Sequence, residues 1–140
     1  MNSQLLLEWN ESKSMGIPII DMQHQGIISV INSLHFFVRN SEADSFLHST
    51  MRIINDYTRI HFATEEDLML KANYSGFTFH KSLHEKMVKE AYAAASRSLR
   101  AHDPEMYLGF LEFWWEGHIA QYDMDYVSCL RSYLEKDSPL

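Results

Sequence analysis

The sequence predicts an all-α fold, an up-down antiparallel four-helix bundle behind an irregular N-terminal arm. Three observations carry that prediction. Four stretches place apolar residues at helical spacing, only short breaks separate them, and no segment sustains the alternation of a half-buried strand. A length of 140 residues suits a single domain, 1–140, and buries a core without disulfide staples.

Residues 1–18 form the arm, which ends in Gly16-Ile17-Pro18. The first helix covers about 19–38, with Ile20, His24, Ile27, Ile28, Ile31 and Leu34 in phase. Asn40-Ser41-Glu42-Ala43-Asp44 breaks it with cap-forming residues. The second covers about 45–71, with Phe46, Ile53, Ile54, Tyr57, His61, Glu65 and Leu68 on one stripe, and Asn73-Tyr74-Ser75-Gly76 is turn chemistry. The third covers about 78–100, with His80, Leu83, His84, Met87, Val88 and Ala91 in phase. Asp103 suits an N-cap and Pro104 the first helical position, where its missing N–H costs nothing. The fourth covers about 104–134, with Leu111, Trp114, Trp115, His118 and Tyr122 on its face.

Composition narrows the function. The formal net charge of −7 repels phosphate backbones, so no nucleic-acid partner is expected. Met1 to Asn10 lacks the basic and apolar regions of a secretory signal, no stretch approaches a membrane span, and the one cysteine, Cys129, excludes an internal disulfide. A cytoplasmic location with no membrane partner is the expectation.

The anomaly is polar residues in the middle of apolar stripes. His24, His61, Glu65, His80, His84 and His118 interrupt all four. A core admits ionisable groups only when they are paired or metal-bound. His61 and Glu65 stand four residues apart, as do His80 and His84, so each pair leaves one helix face and can chelate one ion or flank two. Asp123 follows His118 by five residues, about 140° round an ideal helix, a poor fit that a local widening of the helix or a long carboxylate reach would close. Asp125 is the competing candidate, on the same face but about 10 Å along the axis. Spacing alone leaves both open.

The segments Ile20-Asp21-Met22-Gln23-His24, His61-Phe62-Ala63-Thr64-Glu65-Glu66, His80-Lys81-Ser82-Leu83-His84 and His118-Ile119-Ala120-Gln121-Tyr122-Asp123 resemble, in order, the four ligand motifs of the hemerythrins. Trp9, Gly16, Trp114 and Tyr126 also fit that family. The resemblance covers nearly the whole chain and selects Asp123 over Asp125. It implies a non-heme di-iron centre: His80, His84 and His118 on one iron, His24 and His61 on the other, with Glu65, Asp123 and an oxo or hydroxo group bridging them. The second iron then has one position open, which implies O2 as the ligand. Ile27, Phe62, Trp114 and Ile119 resemble the family's O2-pocket wall, although core packing alone also accounts for each.

The implied function is reversible O2 binding for transport, storage or delivery, without catalysis. No glutamate has a histidine three residues on, so the Glu-x-x-His pairs of di-iron oxidases are missing. The alternatives are an O2 or redox sensor joined to an output domain or partner protein, and an enzyme that reduces peroxide or nitric oxide; these ligands also suit zinc. His35, His48 and His102 match no motif and are expected at the surface or in loops. Glu66 is expected to be a solvated neighbour, Cys129 a buried thiol, and Met69 and Met87 core fillers. Gly26, about 200° round from His24, is expected to face solvent.

Overall fold

The computed structural model describes residues 5–40 and 43–136, with side chains throughout these except at 43, 44 and 119–121. Helix α1 spans Pro18–Arg39, α2 Ala43–Lys71, α3 Phe77–Ala101, α4 Pro104–Gln121 and α5 Val127–Lys136. The first four form an antiparallel bundle in which α1 packs on α2, α2 on α3, α3 on α4 and α4 back on α1. Residues 41 and 42 of the expected break between the first two helices lie outside the described residues.

The fourth helix differs from its expected span of 104–134. It ends at Gln121, a 3-10 turn follows over Asp123–Asp125, and the chain resumes as α5. Aspartate is a weak helix former, and this segment carries two. The tighter winding of a 3-10 turn changes the phase of the residues that follow His118.

Local chemistry sets the other boundaries. Pro18 occupies the first position of α1, where the Asp21 carboxylate accepts from Met15 N (2.8 Å) and Ser14 Oγ (2.7 Å). Gly16, at φ +68°, makes the turn between Met15 and the start of α1. The side chain of Asn32 holds the arm against α1 as a backbone strand would. Its Oδ1 accepts from Leu6 N and Leu7 N, and its Nδ2 donates to Leu7 O. The arm is irregular apart from a 3-10 turn at Glu11–Lys13, and it buries Leu7, Met15 and Ile17 in the core. Asn73 and His102 take the left-handed conformation that ends α2 and α3, each with a six-to-one hydrogen bond behind it (Tyr74 N to Met69 O, Asp103 N to Ser98 O). Asp103 then caps α4, accepting from Met106 N at 3.2 Å.

The apolar stripes face inward, with one register correction. On α2 the buried line is Leu47, Met51, Ile54, Thr58, His61, Glu65 and Met69; Phe46 and Ile53 of the expected stripe are 41% and 51% exposed. Phe46 instead stacks on Phe37 at the bundle surface, with ring centroids 4.1 Å apart. Met69 and Met87 are buried as expected, whereas Cys129 is only half-buried, its Sγ donating to Ala72 O at 3.6 Å. His48 and His102 are exposed; His35 is half-buried within α1.

Gly26 does not face open solvent. A Cβ there would collide with the Tyr57 hydroxyl and come within 2.6 Å of its ring carbon Cζ. The glycine is the place where α1 admits a tyrosine ring from α2. Among the described residues, no helix is long and apolar enough to cross a membrane.

Candidate metal centre

All four bundle helices and the 3-10 turn contribute to one buried polar cluster. His24 comes from α1, His61 and Glu65 from α2, His80 and His84 from α3, His118 from α4 and Asp123 from the turn. None of the seven is more than 3% exposed. Asp125 is exposed, so the fold brings Asp123 inward and turns its competitor out.

The donor atoms fall into two sets, each lying within 4.8 Å. One comprises Glu65, His80, His84, His118 and Asp123; the other comprises His24, His61, Glu65 and Asp123. The two carboxylates belong to both. Asp123 divides its oxygens between them: Oδ2 lies 3.1 Å from His24 Nε2, and Oδ1 lies 2.7 Å from His118 Nε2 and 3.5 Å from His80 Nε2. Glu65 is also shared, though less evenly: Oε1 lies 2.5 Å from His61 Nε2 and 3.8 Å from His118 Nε2, and Oε2 lies 3.6 Å from His80 Nε2.

Of these approaches, His24 Nε2 with Asp123 Oδ2 at 3.1 Å is a hydrogen bond; most of the other donor atoms have none. Nε2 of His61, His80, His84 and His118, both Glu65 oxygens and Asp123 Oδ1 are buried and lack hydrogen-bond partners. An unsatisfied buried polar atom costs about 1–3 kcal/mol, so seven at one place need a common partner. Imidazole nitrogens and carboxylate oxygens that converge with so few bonds among them fit transition-metal cations, and the two overlapping sets fit a pair of them.

The distal nitrogens of His61 and His84 are held from outside the cluster. His61 Nδ1 donates to Gln23 Oε1 at 2.9 Å, and Gln23 Nε2 donates to Thr64 Oγ1 at 3.0 Å. His84 Nδ1 donates to Glu66 Oε2 at 3.1 Å, so Glu66 is not the solvated neighbour expected from the sequence. Neither supporting role follows from helical phase alone, because each depends on which neighbouring helix lies alongside. The available signal is adjacency, each residue being next to a candidate ligand.

Electrostatics match a site built for cations. Burial by itself raises the Glu65 carboxyl, but the charge of His61 and close contact with His118, His61 and His80 hold it well below its usual range. Burial and the charge of Glu65 raise Asp123; the charge and close contact of His118, with His24, override them and depress it. Burial lowers His80, yet close contact and charge from Asp123 and Glu65 push it up to about 9. Burial also lowers His118, and the same two carboxylates push it up to about 10. His84 follows burial down to about 3. With no cation bound, protons on His80 and His118 balance the carboxylates.

Aromatic rings enclose the cluster. Phe62 stacks on His84 (3.8 Å, 4° between planes) and lies 5.3 Å from His118 and 5.9 Å from His61, so it packs mainly on the three-histidine set and also reaches the other. Trp115 stands edge-on to His24 at 5.1 Å and His61 at 5.9 Å. It therefore walls the two-histidine set, a position expected from the sequence for Trp114. Trp114 is buried one layer out, between Phe110 and Trp115. Ile27 is buried one turn from His24, and the side chain of Ile119 lies outside the described residues. Tyr126 is fully buried with its ring 5.5 Å from His80 and its hydroxyl 3.8 Å from Met15 Sδ.

Comparison with known proteins agrees with this architecture. Residues 15–130 match the Hemerythrin HHE cation binding domain. The chain is 32% identical to the bacteriohemerythrin of Stenotrophomonas maltophilia over 132 residues, 94% of this chain and 86% of that one. It is 30% identical to the hemerythrin-like protein of Naegleria gruberi over 122 residues, covering 87% and 92%. A crystal structure of a hemerythrin point mutant superposes with a TM-score of 0.77 at 26% identity, covering 90% of this chain and 98% of that one. With the family model covering residues 15–130 and these relatives matching most of its length, the chain belongs to the hemerythrin family.

Proposed function

We propose that the chain binds O2 reversibly at two iron ions. His80, His84 and His118 hold one and His24 and His61 the other, with Glu65 and Asp123 shared between them. The observation that supports this most is the unequal division of donors: three imidazoles in one set, two in the other, and the same two carboxylates in both. The set with fewer protein donors is where an external ligand has room. Bound there, two irons would supply the electrons that O2 binding requires.

The chain's own residues favour binding over oxidation chemistry. Five neutral imidazoles give less negative charge than a carboxylate-rich set, so high-valent iron is less stabilised. Trp115 and Ile27 keep water from the two-histidine side, and Phe62 covers the other. Gln23 fixes the His61 ring and leaves its Nε2 facing inward.

The test is anaerobic loading with Fe(II), followed by spectra as air is admitted and removed. A visible charge-transfer band that appears and bleaches over several cycles supports the reading. Iron uptake with no such band, or a band that never bleaches under vacuum, contradicts it. Added hydrogen peroxide is expected to be consumed without sustained turnover.

A further inference from the structure

Glu66 follows the shared Glu65 in sequence, but its side chain serves a different purpose. Its Oε2 accepts from His84 Nδ1 at 3.1 Å, while His84 Nε2 is buried, unpartnered and within the three-histidine set. An ionised carboxylate only accepts, so the imidazole proton sits on Nδ1 and the Nε2 lone pair faces the cluster. The Glu66 side chain is 22% exposed, so it holds this contact while keeping partial access to water.

The two-histidine set has the same arrangement with a different acceptor. His61 Nδ1 donates to the amide oxygen of Gln23, whose own nitrogen is fixed by Thr64. His24 Nδ1 and His118 Nδ1 are buried without partners. Thus a charged acceptor backs an imidazole in one set, and a neutral acceptor backs an imidazole in the other. A carboxylate behind an imidazole draws its proton and raises the basicity of the opposite nitrogen more than an amide does.

We propose that Glu66 is a positioning residue that fixes the His84 tautomer and, through its charge, makes the three-histidine set the tighter of the two cation sites and the first to fill. This rests on reading the cluster as a two-metal centre. Gln23 plays the neutral counterpart, leaving the His24–His61 site weaker and later to load.

The test titrates the metal-free full chain with Co(II) anaerobically, following the cobalt absorption and the heat of binding. The wild type is expected to take up two ions in two resolved steps. Glu66→Gln keeps an acceptor for Nδ1–H but removes the charge; it should weaken the first step by about 10-fold, leave the second unchanged and preserve the His84 tautomer in nitrogen-15 NMR spectra of the zinc-loaded protein. Glu66→Ala removes both effects; it should weaken the first step by roughly 10–100-fold and, in the metal-free chain, give a mixture of His84 tautomers. Gln23→Glu, which places the same charge behind His61, should tighten the second step. Circular dichroism checks that each variant is folded, and Glu66→Gln decides the question if Glu66→Ala is not. First-step affinities within twofold of wild type in both Glu66 variants overturn the proposal while leaving the two-metal reading intact. Uptake of fewer than two ions by the wild type overturns both.

Discussion

His118 Nε2 lies 2.7 Å from Asp123 Oδ1 although five residues separate them, a spacing that an unbroken helix sets about 140° apart. The end of α4 at Gln121 and the 3-10 turn at Asp123–Asp125 remove that mismatch. The turn brings Asp123 between the two donor sets and directs Asp125 to solvent.

Replacing the shared carboxylate should therefore cost metal. Asp123→Ala is expected to retain fewer than two metal ions per chain after desalting, and Asp125→Ala to retain two. Elemental analysis against protein concentration measures both. Equal metal content in the two variants would show that the turn does not select Asp123.

Gly26 provides a packing test. On an open helix face, Gly26→Ala would gain about 1 kcal/mol of helix propensity. Here the new Cβ meets the Tyr57 hydroxyl, and overpacking of this kind costs typically about 1–3 kcal/mol. The single variant should lower the thermal midpoint, and combining it with Tyr57→Ala should cost less than the sum of the two single changes. Additive effects in denaturant unfolding would contradict the close approach.

Stability of the metal-free protein should fall from neutral to alkaline pH. His80 and His118 are pushed up to about 9 and about 10, whereas unfolded histidine titrates at about 6.5. Their contribution is complete below the unfolded value and is lost as pH rises through the folded values. His84 lies at about 3 in the fold, so its own contribution is already constant above the unfolded value and leaves this trend unopposed. Chelator-treated protein should lose thermal stability steadily between about pH 7 and 10, while metal-loaded protein should change little, because the cations replace those protons. Loading in weak buffer near pH 7.5 should release about two protons per chain, read with an indicator dye. A pH-independent midpoint for the metal-free chain would contradict the balance of charges described.

Trp115 should protect the two-histidine side. Trp115→Phe keeps a ring beside His24 and His61 but leaves space that water can enter. After loading with Fe(II), its oxygenated band should decay several-fold faster than that of the wild type, whereas Trp114→Phe, one layer out, should have a smaller effect. Trp115→Ala should also cost about 3–5 kcal/mol of stability through the cavity it opens. Equal decay for the two phenylalanine variants would remove Trp115 from the pocket wall.

What the sequence made legible was what helical period controls. His61 with Glu65 and His80 with His84 are visible because four residues return a side chain to the same face. Their burial stands out because apolar residues surround them. The break before Asp123 was hidden, because residues 119–126 contain no glycine or proline to announce it. The α2 register slipped by one at Phe46, where an aromatic side chain finds a surface partner in Phe37 and Leu47 takes the core position. Gly26 with Tyr57, and Glu66 with His84, are contacts between helices, set by how the rods rotate against each other. The choice of Trp115 over Trp114 turns on a single step of about 100° around α4.

The most direct measurement is X-ray diffraction from crystals grown with Fe(II), with data collected on both sides of the iron absorption edge. Two anomalous peaks per chain are predicted, one against Nε2 of His80, His84 and His118, the other against Nε2 of His24 and His61, with Glu65 and Asp123 spanning the gap. A single peak, or iron lying outside these seven side chains, would contradict the account.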